Sequence, residues 1–162
     1  MIRYESELYH HGVKGMKWGV RKQRTSIGNG LTLQRQGLSP VSKAIGKISK
    51  RAAEENARSY SYTILAGKKK VGDLHLYQES VDSINVNWIG IKRKERGKRY
   101  AQTVMDWTIK TSKKNGNKQI TLEVPGNSPD ARHIYEKNGF VAGKSISEDD
   151  VWGGLTKMKR KL

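Results

Sequence analysis

Six of the eight residues from Lys92 to Arg99 are Lys or Arg, with Gly97 among them, and the run lies between two patterned stretches. Ahead of it, Ile84, Val86 and Trp88 alternate with Ser83, Asn85 and Asn87, the two-residue period of a strand with one buried face. Behind it, Ala101, Val104, Met105, Thr108 and Ile109 recur at helical spacing until Asn115-Gly116 closes the element. A basic turn that feeds a helix start is built for anions. The first-turn N–H groups have no intrahelical partner, and the helix dipole is positive there. A phosphate or pyrophosphate is the expected guest, and a solvated basic loop is the plain alternative.

The strand before the turn carries a second signal. Ile89 and Ile91 continue its alternation from the other parity. A change of parity within one strand is what a β-bulge produces, and bulges re-aim backbone beside binding sites. Downstream, Gln119 to Val124 reads as a short strand ended by Pro125-Gly126. Ser128-Pro129 caps a short helix with Ala131, Ile134 and Tyr135 on one face. Asn138-Gly139 ends that helix before a strand from Phe140 to about Ile146. Upstream, Tyr60–Gly67 and Lys70–Tyr77 read as a hairpin about Ala66-Gly67-Lys68-Lys69, with a turn at Glu79–Asp82 leading into the bulged strand. An acidic loop, Glu148-Asp149-Asp150, precedes a last strand from Leu155 to Met158, and Lys159-Arg160-Lys161 reads as a solvated tail.

This order resembles the GNAT superfamily of acyl-CoA-dependent N-acyltransferases. Its phosphate loop reads Q/R-x-x-G-x-G/A, against Arg96-Gly97-Lys98-Arg99-Tyr100-Ala101 here. Its second half reads roughly L-x-V…N…A…(L/I)-Y-E-K-x-G-F, against Leu122-Glu123-Val124, Asn127, Ala131 and Ile134-Tyr135-Glu136-Lys137-Asn138-Gly139-Phe140. The likeness runs from about Tyr60 to the C-terminus. It departs at Arg99, which stands where the first loop glycine usually sits. The resemblance implies an α+β fold: a mixed, largely antiparallel sheet with helices on both faces. It implies acetyl-CoA as cosubstrate and a protein or peptide amine as acceptor.

The resemblance also distributes roles. Backbone groups of Ile89 and Ile91 would take the pantetheine arm like an extra strand. The turn Arg96, Gly97, Lys98, Arg99, Tyr100, Ala101 would hold the pyrophosphate, with small residues helping backbone approach phosphate. Asn127 would position the strand-to-helix turn or touch the cofactor. Glu123 would sit beside the parted strands as base. Its separation from Tyr135 matches that in ribosomal-protein N-terminal acetyltransferases of the family, which makes Tyr135 the acid toward the CoA sulfur. A rim salt bridge for Glu123 and a half-buried core place for Tyr135 are the structural alternatives. His75 and His133 are read as a strand-face and an exposed helix residue. With no cysteine, and no other nucleophile apparent, direct attack in a ternary complex is expected.

Composition bounds the rest. The 162 residues have room for one domain and an appendage, and carry 32 basic against 15 acidic groups, net +17. The excess is spread, with 12 basic and 4 acidic residues before Ser59 and 20 and 11 from there on. Nucleic acid is therefore a conceivable partner, but no aromatic platform is interleaved with the basic run. No apolar run approaches the ~18 residues of a membrane span, and Glu5 and Glu7 argue against a signal peptide. The cytoplasm of a bacterial host cell is the expected compartment.

Three segments are expected: a basic, glycine-containing extension at 1–38, an amphipathic helix at 39–58, and the acyltransferase domain at 59–162. Tyr9 to Lys22 resembles a segment, H-x-G-x-K-G-M-K-W-G-V-R, of tailed-bacteriophage structural proteins, which implies a phage structural partner for residues 1–38. A non-catalytic, virion-associated module on the same scaffold is the rival to the enzyme. His10-His11 lacks a third ligand nearby, so no metal is expected. Within 39–58, Val41, Ala44, Ile45, Ile48 and Ala52 share one face, expected to pack on the domain with the lysines solvated. The acceptor-shaping region before the sheet reads as abbreviated.

Overall fold

The computed structural model describes residues 24–147 and 153–162. In chain order the elements are β1 (Arg24–Gly28), β2 (Leu31–Arg35), α1 (Pro40–Ile48), α2 (Lys50–Arg58), β3 (Ser59–Ala66), β4 (Lys69–Ser80), β5 (Ser83–Ile91), α3 (Tyr100–Lys114), β6 (Gln119–Pro125), α4 (Pro129–Lys137), β7 (Val141–Ser147) and β8 (Leu155–Lys161). The strands form one sheet in the order β1-β2-β3-β4-β5-β6-β8-β7. Every neighbouring pair is antiparallel except β5 and β6.

Strand alternation divides the sheet into two unlike faces. One holds Tyr60, Tyr62, Ile64, Leu74, Leu76, Ile84, Val86, Ile120, Leu122, Val124 and Met158, all buried. α3 closes over it with Val104, Met105 and Thr108, and Trp107 meets Tyr62 edge-on at 5.7 Å. α4 lies beside α3, joined by paired amides: Gln102 Nε2 donates to Asn138 Oδ1 at 2.8 Å, and Asn138 Nδ2 returns a bond to Gln102 Oε1 at 3.0 Å. Burial on this face, at about 1.5–3 kcal/mol per large apolar side chain, is the main source of stability. The other face presents Ser61, Thr63, His75, Tyr77, Asn85, Thr121, Glu123 and Lys157, and Ser61 Oγ lies 2.8 Å from His75 Nδ1 as a strand-face pair.

Several expectations are corrected. Residues 24–35 are not part of an appendage. They form the β1–β2 hairpin, which pairs with β3 and buries Leu31 and Leu33. The region before the central strands is therefore not abbreviated. The stretch 39–58 is two nine-residue helices, not one. Ser49, extended at φ −129°, donates its N–H to Ile45 O at 2.9 Å and accepts at Oγ from Ala52 N at 3.3 Å, ending one helix and capping the next. The helices cross closely at Gly46, where a Cβ would lie 3.1 Å from Asn56 Nδ2. The apolar face of α1 does not pack on the domain: Val41 is 66% and Ile48 87% exposed. Lys159-Arg160-Lys161 is no tail, because β8 lies between β6 and β7 and its last residues pair with Thr121, Ile120 and Gln119. The segments Tyr9–Lys22 and Glu148–Asp150, with His10 and His11, lie outside the described residues.

Candidate active site

The parallel ladder of β5 and β6 runs from Ser83–Gln119 to Val86–Leu122 and then stops. Beyond Val86 the two strands part. The expected bulge falls at the same place: His75 pairs with Trp88 and Leu76 with Val86, so Asn87 is an extra residue on β5. The parity therefore changes one residue earlier than the sequence pattern indicates. Trp88 is turned off the buried face and is 59% exposed. Its indole lies over Gly90, where a Cβ would come within 2.3 Å of Trp88 Nε1. Ile89 and Ile91, half-buried, pair with Leu74 and Gly72 of β4, and on the β6 side this length of β5 has no strand partner among the described residues.

β5 leads through a short 3-10 turn, Arg93–Glu95, into the exposed loop Arg96–Arg99 and the start of α3. Gly97 has φ +82° and Arg99, the N-cap of α3, φ +60°. A left-handed conformation costs a residue with a side chain about 1–2 kcal/mol, a cost that glycine escapes. Arg99 adopts it with an exposed side chain. Arg96 Nε donates to Ile91 O at 3.3 Å, tying the loop back to the strand end. Glu95 is buried beneath the basic loop, its carboxylate taken by Lys69 and, at 2.7 Å, by Lys98. Hydrogen bonds from Lys69 and then Lys98 hold the Glu95 pKa down at about 2 against the cost of burial, and the same contact raises that of Lys98.

On the polar face a cavity of about 280 Å³ opens beside the parting strands, lined by Tyr77, Glu79, Asn85, Val86, Asn87 and Glu123. Glu79 escaped notice in the sequence, where it reads as a turn residue. Its Oε2 accepts from Ser83 Oγ at 2.9 Å and Thr121 Oγ1 at 2.8 Å, and Lys157 Nζ lies 3.4 Å from Oε1. Partial burial works against the charge, but the bonds from Thr121 and Ser83 and the Lys157 ammonium outweigh it and keep the Glu79 pKa below the ordinary value. Thr121 also accepts from Asn85 Nδ2 at 2.9 Å, so the floor of the cavity is a connected polar network.

Glu123, exposed on β6, faces this cavity opposite Lys157 in the ladder. Tyr135 projects from α4 on the other side of the sheet, half-buried and edge-on to Phe140 at 5.9 Å. Burial raises its phenol pKa, so it stays protonated well above neutrality. The two thus flank the sheet from opposite faces. Asn127 is exposed in the β6–α4 turn and accepts from Ser128 Oγ at 3.4 Å; Tyr100 and Ala101 begin α3, and His133 is exposed on α4.

The chain belongs to the acetyltransferase (GNAT) family, whose model matches residues 36–140. Residues 1–25 match a family of unknown function. No curated protein matches the sequence. Among solved structures the chain is similar to an IAA acetyltransferase from Bacillus cereus ATCC 14579, at 16% identity and TM-score 0.62 over 82% of this chain and 99% of that one. It is similar to the spermidine/spermine N-acetyltransferase SpeG from Vibrio cholerae, at 19% and 0.64 over 83% and 95%. A third is a GNAT family acetyltransferase from Elizabethkingia anophelis with acetyl-CoA bound, at 14% and 0.62 over 83% and 100%.

The protein is thus an acetyltransferase whose acetyl donor is acetyl-CoA. The geometry fits that donor. The length of β5 without a β6-side partner among the described residues could take a pantetheine arm, and the exposed Arg96–Arg99 loop at the start of α3 could take a pyrophosphate. No helix among the described residues is long and apolar enough to cross a membrane.

Proposed function

We propose that this enzyme acetylates an amine of a protein or peptide in the host cytoplasm, by direct attack within a ternary complex, with Glu123 as base and Tyr135 as acid. The observation that carries the reading is the parting of β5 and β6 beyond Val86–Leu122, with Glu123 at one side of the opening and the basic loop at its far end. Acetyl-CoA supplies an activated acyl group as a thioester. Ile89 and Ile91 would hold its arm by backbone bonds, and Arg96, Gly97, Lys98, Arg99, Tyr100 and Ala101 its diphosphate, with Asn127 at the rim. Glu123 would take the proton released as the amine nitrogen bonds to carbon. Tyr135 would give its proton to the departing sulfur, and its raised pKa keeps that proton available at neutral pH.

A specific observation favours a second reading of the acceptor, a small polyamine. In a chain of net +17, the charged residues lining the cavity are Glu79 and Glu123. Such a lining attracts an acceptor with a second positive charge, and the Vibrio cholerae neighbour is named for spermidine and spermine. Initial rates of thiol release with acetyl-CoA and either a lysine-containing peptide or spermidine separate the two. Turnover with the peptide alone supports the first, with spermidine alone the second. Thiol release that persists undiminished in both Tyr135→Phe and Glu123→Gln would remove the assigned roles.

A further inference from the structure

Arg96 to Arg99 are all exposed, so the core does not hold the loop. Yet Arg99 sits at φ +60°, a conformation that a residue with a side chain keeps only where its surroundings over-determine it. Two braces converge on the residue before it. From the β1–β2 turn, Asn29 Nδ2 donates to Lys98 O at 3.0 Å and to Thr103 Oγ1 at 3.4 Å. Thr103 Oγ1 in turn donates to Arg99 O at 3.1 Å. From beneath, Glu95 takes the Lys98 ammonium at 2.7 Å while it also holds Lys69 at the head of β4. The main chain of Lys98 is fixed from a hairpin distant in sequence, and its side chain by Glu95 three residues before it, which Lys69 anchors in turn; Arg99 follows.

We infer that Asn29 is a positioning residue for acetyl-CoA binding: together with the Glu95 clamp on Lys98, it holds Arg99 in the left-handed turn that points the loop's N–H groups outward. The family pattern meets this need with glycine, which adopts positive φ without cost. This chain meets it with Arg99, which keeps a cation at the loop, and with an amide supplied by a hairpin on the far edge of the sheet. The inference rests on the assignment of Arg96–Ala101 to the acetyl-CoA diphosphate.

The test is a four-protein cycle on the full chain, with acetyl-CoA affinity measured by calorimetry. Asn29 itself has φ +52°, so Asn29→Gly deletes the amide while leaving the turn at ease. Loss of one hydrogen bond that sets the loop should weaken acetyl-CoA binding about fivefold. The melting temperature should stay within about a degree, because Asn29 is exposed. In the Arg99→Gly background, where no strain remains to be held, the same Asn29→Gly change should cost less than about twofold. A non-additive cycle of this kind is not expected of a residue that serves only the hairpin. Equal affinity in the wild type and Asn29→Gly overturns the inference, as does a loss of the same size in both backgrounds; either leaves the diphosphate assignment standing. A wild-type protein that does not bind acetyl-CoA defeats both.

Discussion

The two ends of the opening between β5 and β6 carry opposite charge. At the α3 end, six cations crowd into eight residues above a single buried carboxylate, Glu95. On the polar face beside the splay, the charged lining is Glu79 and Glu123, and Lys157 stands behind Glu79. Net charge alone suggested a polyanion as partner for the whole surface. On the proposed reading its distribution separates a place for a polyphosphate from a place for an amine, and the basic excess then needs no nucleic acid to explain it. The two ends are also built differently. The basic loop is exposed and braced by side chains from two hairpins, whereas the floor of the acidic pocket is a hydrogen-bonded network within the sheet itself.

Breaking each end in turn should give distinct signatures. The largest effect belongs to the chemistry between them. Tyr135→Phe keeps the edge-on contact with Phe140 but removes the proton donor, and kcat should fall about a hundredfold or more with acetyl-CoA affinity unchanged. In the wild type the alkaline limb of kcat should lie above pH 10, the ordinary value for tyrosine, because burial raises this phenol. An alkaline limb unchanged in Tyr135→Phe would assign it to another group.

Next in size is the acceptor end. Glu79→Gln keeps a polar group beside Ser83 and Thr121 but removes the charge. The KM for a diamine should rise about tenfold, while that for a monoamine should change little. Equal effects on both amines would reduce Glu79 to a scaffold for the strands.

The smallest effect is at the donor end and concerns pH. The Glu95 pKa is about 2 in the folded chain against an ordinary 4.5, so between those values the unfolded chain binds the proton more readily. The stability contributed by Glu95 is present above that window and is lost as pH falls through it. Glu95→Gln should remove this part of the acid dependence, seen as a flatter plot of melting temperature against pH below about 4.5. An identical slope in both proteins would show that the carboxylate is not held by its two lysines.

Much of this was visible in the sequence where one local pattern governs. The bulge in β5 showed as a change of parity, α3 as a helical repeat, and the β3–β4 hairpin as two runs about a glycine turn. Features that arise from distant contacts did not show. β1 and β2 are five residues each, and their place in the sheet depends on β3, more than twenty residues away. The break at Ser49 comes from hydrogen bonds at a serine, not from Gly or Pro. Glu79 looked like turn punctuation because its partners Thr121 and Lys157 belong to β6 and β8. At Arg99 the sequence shows the departure from the family's glycine but not the backbone angle of +60° that the position adopts.

The measurement that bears most directly on the whole account is a calorimetric titration of acetyl-CoA into the intact protein at low and at raised salt. One site should saturate, and its affinity should fall as salt screens the loop's cations from the diphosphate. Absence of binding heat at either salt, with the protein shown to be folded, would contradict the claim that the opening between β5 and β6 and the loop at its end are made for CoA.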